Sequence, residues 1–261
     1  MSNHFLRNLL AYPITDGLDL DDPKTTILRR EIIQDKPFLR KIYEEWYQNI
    51  ISSLPTGNGS IIELGSGGGF LEQLLPEVIT SDISYFPHIK LVMNGLKLPF
   101  ADSSLRAIVM VNVFHHLPSV RDFLHEASRC IMEGGAVIMI EPWLTAWSRG
   151  IYQNYHHETF SADTPVWEFA SSGPLSGANG ALPWIVFQRD REIFEREFPE
   201  WNIKTITPFM PFRYLLSGGV SMKSLMPGWS FPFWTGFEKC LNPNMNNLAM
   251  FVNIVIKKFD Q

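Results

Sequence analysis

The stretch Ile61-Ile62-Glu63-Leu64-Gly65-Ser66-Gly67-Gly68-Gly69-Phe70 decides the fold. Residues 60–64 have the length and apolar character of a buried strand. The strand delivers the chain into glycines, which admit φ > 0 and let a ligand approach the backbone with no Cβ in the way. Residues 70–75 read as a short helix directly behind them, whose first N–H groups and positive dipole end suit an anionic group. Asp82 ends a second apolar run, residues 78–83, nineteen positions beyond Glu63. In a βαβ unit an acid there faces the ribose hydroxyls of a nucleoside.

Outward from this unit the alternation continues. A short strand is expected at residues 89–93 and a long apolar one at 105–114. A helix follows at 120–131, with Phe123, Leu124, Ala127 and Ile131 at helical spacing, then a Gly134-Gly135 turn and a strand at 136–141. Near-continuous apolar strands between helices indicate a parallel sheet buried on both faces. Residues 202–207 and 250–257 read as two further strands. Upstream, residues 21–54 are helical and broken by Pro37, with Pro23 suited to a first turn. Near residue 190 another helix is expected to open with Asp190 as its N-cap. The fold class is therefore α/β, a Rossmann-like sheet. An N-terminal helical flap occupies residues 1–54, and the remaining residues, 55–261, carry insertions at about 142–189 and 208–247.

Composition bounds the partners. The chain has 261 residues, 45% of them hydrophobic, and a formal net charge of −5. No basic run is present, so no nucleic acid is expected as partner. Arg189, Arg191 and Arg196 alternate with acids and read as a solvated helix face. Two widely separated cysteines, Cys130 and Cys240, make no disulfide framework and suit a reducing cytoplasm. The first ten residues lack the pattern of a signal peptide, and no apolar stretch is long enough for a transmembrane segment.

The spacing of the glycines separates nucleoside classes. A nicotinamide fingerprint reads GxGxxG, but counting from Gly65 the third glycine would fall on Phe70. The acid two residues before the first glycine is also foreign to that pattern. Glu63-x-Gly65-x-Gly67-x-Gly69 resembles motif I of the class I S-adenosylmethionine-dependent methyltransferases. Leu98-Pro99-Phe100-Ala101-Asp102-Ser103-Ser104-Leu105 is similar to a signature of the type-11 methyltransferase domain, found in ubiquinone- and menaquinone-pathway enzymes. Asn112-Val113-Phe114-His115-His116-Leu117 and Glu133-Gly134-Gly135 fall in the corresponding order. Arg106 departs from the resemblance, standing where an Asp is usual.

The resemblance implies a seven-stranded, mostly parallel sheet with an antiparallel last strand, and S-adenosyl-L-methionine as cofactor. Glu63, Gly65, Ser66, Gly67 and Gly69 would hold its methionine end. Asp82 would take the ribose and Ile83 would pack on the adenine. Asn94, with Gly95 and Leu96 beside it, would meet the adenine amino group, and Asn112 and Val113 would line the reacting methyl. The activity implied is methyl transfer to an O, N or C nucleophile of a small-molecule acceptor. A nicotinamide-dependent oxidoreductase and a non-catalytic cofactor-binding module are the alternatives.

Oxygen, nitrogen and activated carbon nucleophiles can need a general base, most often His. His115 and His116 follow the fourth strand at the carboxyl edge of the sheet, where open α/β folds bind ligands. His157 is a third candidate base. Trp143, Tyr152, His156 and Glu158 are candidate substrate contacts in the aromatic segment after the fifth strand. No metal site is expected, because neighbouring histidines diverge and no further ligand stands at a recognisable spacing. The aromatics of the two insertions have two readings: the core of a cap, or an apolar pocket or lip for a hydrophobic acceptor, with peripheral membrane contact.

Overall fold

The computed structural model describes residues 21–155, 158–170, 173 and 177–259. Helix α1 (Pro23–Asp35) opens with the side chain of Asp22 accepting from Lys24 N–H. Proline at its first position gives up no hydrogen bond there. Lys36 in extended backbone separates it from α2 (Pro37–Ser53), as Pro37 requires. Phe38, Leu39, Ile42, Trp46 and Ile50, on one side of α2, are fully buried. The Trp46 ring stacks on Tyr214 and meets Phe251 of the last strand. Helix α2 thus packs into the core, and both α1 and the α2 residues Tyr43 and Tyr47 border the cavity described below.

The sheet comprises β1 (Ser60–Leu64), β2 (Ile79–Asp82), β3 (Leu91–Val92), β4 (Leu105–Val111), β5 (Ile131–Pro142), β6 (Trp201–Phe209) and β7 (Phe251–Lys258). Their order is β3-β2-β1-β4-β5-β7-β6, with β7 antiparallel to both neighbours. The order reverses between β1 and β4. At such a switch point successive crossovers leave on opposite faces and open a crevice outside the carboxyl ends of the strands. Helix α3 (Val120–Cys130) buries Val120, Phe123, Leu124, Ala127 and Cys130, with Ser119 capping its N-terminus.

Three local expectations are corrected. Behind the glycines stands a single 3-10 turn, Leu71–Gln73, and no α-helix. The Gly134-Gly135 turn is a bulge inside β5: pairing steps from Leu105↔Ile131 to Ala107↔Ala136, with Gly134 at φ 71°. A Cβ on Gly135 would lie 2.8 Å from Arg106 O, so that bulge depends on a glycine. Asp190 stands at the N-cap of α5 (Arg191–Glu197), but its side chain makes no capping bond; it binds Arg189 and the indole N–H of Trp167 instead.

In the first insertion, helix α4 (Ala146–Tyr155) leads to a stretch that buries Phe160 and Trp167. In the second, α6 (Arg213–Ser217) ends at Gly218 in the left-handed conformation, followed by α7 (Phe231–Cys240) and the short α8 (Met245–Leu248). Trp143, Tyr152, Phe160 and Trp167 are buried, whereas Trp229 and Phe233 are 81% and 70% exposed. The aromatics thus divide between cap core and surface. No helix among the described residues is long and apolar enough to cross a membrane.

Candidate active site

The carboxyl ends of β1, β2, β4 and β5 and the inner face of α1 enclose a cavity of about 700 Å³. At its floor β1 ends in Gly65, at φ 65°. A Cβ there would lie 2.5 Å from Val113 Cγ2, so the glycine lets the ends of β1 and β4 close on each other. At Gly67, also at positive φ, the space toward the cavity is open: the nearest atom to a Cβ would be 3.7 Å away. Helix α1 lies directly on the loop. Arg30 donates to the carbonyl of Gly69 and pairs with Glu72, and a Cβ on Gly68 would meet the backbone of Arg30 at 2.9 Å.

Several loop N–H groups are already committed within the protein. Gly67 N–H donates to Asp82 Oδ2 at 3.0 Å, Gly69 N–H to Ser66 O, and Phe70 N–H to the hydroxyl of Tyr47. Arg29 of α1 brings a positive charge to the cavity wall beside Thr26 and Ile33. Among the described residues that line the cavity, two acceptors remain unmet. Glu63 Oε2 and Asn112 Oδ1 are buried without a hydrogen-bond partner. Burial pushes the Glu63 carboxyl up to about 7. A buried carboxylate oxygen with no donor is a costly feature in a ligand-free fold, and a ligand's ammonium group would satisfy it. Asp82 also accepts from Ser84 N–H, and burial raises its carboxyl.

Glu63, Gly65, Ser66, Gly67, Gly69, Asp82, Ile83, Asn94, Gly95, Asn112 and Val113 all line the cavity. Leu96 does not; its N–H donates to Asn94 Oδ1, closing the turn that positions Asn94. Arg106 points away from the cavity and donates to Gly57 O.

The far end of the cavity has different chemistry. The 3-10 turn Phe114–His116 follows β4, and its entry is held by Glu141, fully buried at the end of β5. Glu141 Oε1 accepts from Val113 N–H and Phe114 N–H, both at 2.8 Å, and Oε2 accepts from His115 Nδ1 at 2.6 Å. His115 Nε2 lies 3.3 Å from Glu158 Oε2, and His116 Nε2 lies 3.8 Å from Glu158 Oε1. Burial opposes a charge on His115, but the carboxylates of Glu141 and Glu158 outweigh it and push its pKa up to about 10. Burial and the neighbouring His115 bring His116 down to about 4.

Tyr152 also lines the cavity, with its hydroxyl donating to Met250 O, whereas Trp143 is packed in the core away from it. His156 and His157 lie outside the described residues. Tyr214, one of the second-insertion aromatics, does line the cavity, whereas sequence reasoning missed Glu141, Arg29, Tyr43, Tyr47 and Phe251. A lone acid ending the apolar run Val137-Ile138-Met139-Ile140 was a readable signal for Glu141. The others are joined to the site only by folding.

Residues 62–139 match the family model described as a methyltransferase domain. The chain carries a class I S-adenosylmethionine-dependent methyltransferase domain. S-adenosylmethionine is its cofactor, and the cavity's chemistry fits that molecule: an unmet buried carboxylate oxygen, an open glycine and an acid at the end of β2. Among solved structures, this methyltransferase is similar to an S-adenosylmethionine-dependent methyltransferase from Thermotoga maritima, a possible histamine N-methyltransferase. The two are 16% identical, with a TM-score of 0.55 over 89% of this chain and 98% of that one. It is also similar to a structure from Haloferax volcanii, a complex between the Trm112 methyltransferase activator and a methyltransferase. Here identity is 12% and the TM-score 0.53, over 94% of this chain and 100% of the other. These likenesses concern the fold. No curated protein matches the methyltransferase.

Proposed function

We propose that the methyltransferase acts on a small acceptor with an apolar body and an O, N or C nucleophile at one end. The observation that carries this reading is the two-ended cavity. One end is built from Glu63, the glycine loop and Asp82; the other joins Tyr152, Tyr214 and Phe251 to His115, His116 and Glu158. Its volume falls within the range that accommodates small ligands.

When bound, S-adenosylmethionine supplies a methyl group on a positively charged sulfur, already a reactive electrophile. Glu63 would hold the ammonium and Arg29 the carboxylate of its methionine end, with Asp82 on the ribose hydroxyls. Asn112 and Val113 then stand where the two ends of the cavity meet. The aromatic wall would orient the acceptor, and such positioning is worth up to about 7–11 kcal/mol in favourable cases. A hydroxyl or amine loses a proton as it is methylated; Glu158 and the neutral His116 are the groups of that wall able to accept it, and the cationic His115 can stabilise an oxyanion. Trp229, Phe233 and Phe237 on the outer face of the second insertion fit peripheral contact with a membrane, which co-sedimentation with lipid vesicles tests.

The test is acceptor-dependent formation of S-adenosylhomocysteine over a panel of aromatic and isoprenoid alcohols and amines, set against sugars and polyols. Turnover is expected for the apolar acceptors, and Glu158→Gln should lower kcat by about 10²-fold while leaving S-adenosylhomocysteine affinity within about twofold. Turnover of the polyols alone would refute the apolar acceptor.

A further inference from the structure

We infer that His115, His116 and Glu158 form a binding site for one divalent transition-metal ion at the acceptor end of the cavity. One ligand atom from each of the three lies within 4.8 Å of the others. At a metal–ligand distance of about 2.0–2.1 Å, tetrahedral ligands stand about 3.3 Å apart. The separation of His115 Nε2 from Glu158 Oε2 is already 3.3 Å, and that of His116 Nε2 from Glu158 Oε1 is 3.8 Å. Small rotations of three side chains complete the set.

The neighbours of the two rings carry the inference further than spacing does. His115 Nδ1 is bound to Glu141 Oε2, and His116 Nδ1 to the carbonyl of Gly177 at 3.1 Å. A carbonyl can only accept, so the hydrogen of His116 sits on Nδ1. Glu141 accepts two backbone N–H groups on its other oxygen and so behaves as a fixed acceptor toward His115. The Nε2 atoms of both rings face the same carboxylate, and an ion bound there would take the place of the Nε2 proton of His115. Carboxylate or carbonyl support of the far ring nitrogen is what metal-binding histidines characteristically have. The expected divergence of adjacent histidines does not apply here. The 3-10 turn brings the rings to 4.2 Å between centroids, tilted by 39°, and Glu158 reaches them from another segment.

Two imidazoles and one carboxylate, with the remaining positions facing a cavity, suit Zn²⁺, Fe²⁺ or Mn²⁺ better than Mg²⁺. The open positions would take an oxygen of the acceptor. The ion would then lower the pKa of a phenolic or enolic hydroxyl, relieving the side chains of stabilising the anion alone. The binding site itself stands without the acceptor reading; only this use of it rests on that reading.

The test uses the purified full-length protein, stripped with a chelator and titrated with Co²⁺ while the visible absorption of the bound ion is followed. Calorimetry with Zn²⁺ runs in parallel. One equivalent is expected to bind. His116→Gln and Glu158→Gln should each weaken binding at least tenfold, and Glu141→Gln by about 10–100-fold. Thermal melting checks that the variants are folded. Glu158 is partly exposed at the cavity wall, so its amide variant tests the site even if Glu141→Gln does not fold. No saturable uptake by the wild type, or equal uptake by Glu158→Gln and His116→Gln, overturns the site. S-adenosylhomocysteine binding measured on the same stripped samples fails or holds independently, which separates a wrong metal site from a wrong cofactor site.

Discussion

Glu63 shows how one buried side chain couples cofactor binding to pH. Folded, it keeps its proton up to about 7; its ordinary value is 4.5. Between those values the folded state binds more protons than the unfolded one, so stability of the ligand-free protein falls as pH rises. The cost is complete above about 7, on the order of 3 kcal/mol for a shift of this size. Glu63→Gln should remove that dependence, as chemical denaturation at pH 5 and pH 8 would show. Because an ammonium group needs the ionised carboxyl, S-adenosylhomocysteine should bind up to about tenfold more tightly per pH unit as pH climbs toward 7. The glutamine variant should show a flat profile; an identical slope in both proteins would remove Glu63 from the site. Asp82→Ala tests the ribose end. Loss of hydrogen bonds to a charged group is worth about 1.5–3 kcal/mol, so calorimetry should read roughly 10–100-fold weaker binding. Both residues were readable in the sequence, Glu63 as an acid at a strand end beside glycines and Asp82 as an acid ending the next strand nineteen positions on. Gly65→Ala combines a left-handed backbone with a 2.5 Å approach to Val113. A melting experiment should show at least the 1–2 kcal/mol that a left-handed conformation costs a residue with a side chain, about.

The elements around the site are joined by a few buried polar contacts. Arg213 at the start of α6 reaches Glu45 of α2 at 2.5 and 2.8 Å and Glu238 of α7 at 2.5 Å. Glu238 Oε1 also accepts the N–H groups of Phe212 and Arg213, which gives α6 its N-terminal partner. Removing one member leaves charges buried without their partner, at about 3–5 kcal/mol. Arg213→Ala should therefore lower the denaturation free energy by that amount, whereas an exposed pair such as Arg191–Glu195 should cost less than about 1 kcal/mol. Lys36, between α1 and α2, donates to the carbonyls of Gly219 and Met222, and burial brings its ammonium down to about 8. At this scale the sequence was readable where periodicity is strong: Pro37 divides two helices and α3 has a clear apolar face. It misled where the local pattern was short. Phe70 to Leu75 has helical composition, yet Phe70 N–H is taken by Tyr47 and only a 3-10 turn forms.

For the whole molecule, α1 lies across the glycine loop, so a cofactor bound there would couple its affinity to the docking of α1. Thr26, Arg29 and Ile33 face the cavity while Arg30 grips the loop from above. A ligand that binds only the folded state stabilises it by mass action, about 2.7 kcal/mol at 100 times its Kd. S-adenosylhomocysteine should raise the melting temperature accordingly and slow amide exchange in α1 more than in the distant α5. Equal protection in both helices would mean that α1 is not part of the cofactor's enclosure.

The succession of strands along the chain and the acid-glycine loop were legible in the sequence alone, because apolar runs of strand length and closely spaced glycines are local properties. The antiparallel β7 was implied only by the resemblance to the methyltransferases. What only tertiary structure decided is the acceptor end. Glu141 supports His115 across β4 and β5, and Glu158 meets both histidines from a segment more than forty positions away. Arg29 and Tyr214 reach the same cavity from opposite ends of the chain. Such meetings depend on how the helices and insertions pack against the sheet, and packing is a property of distances in space that spacing along the chain does not carry.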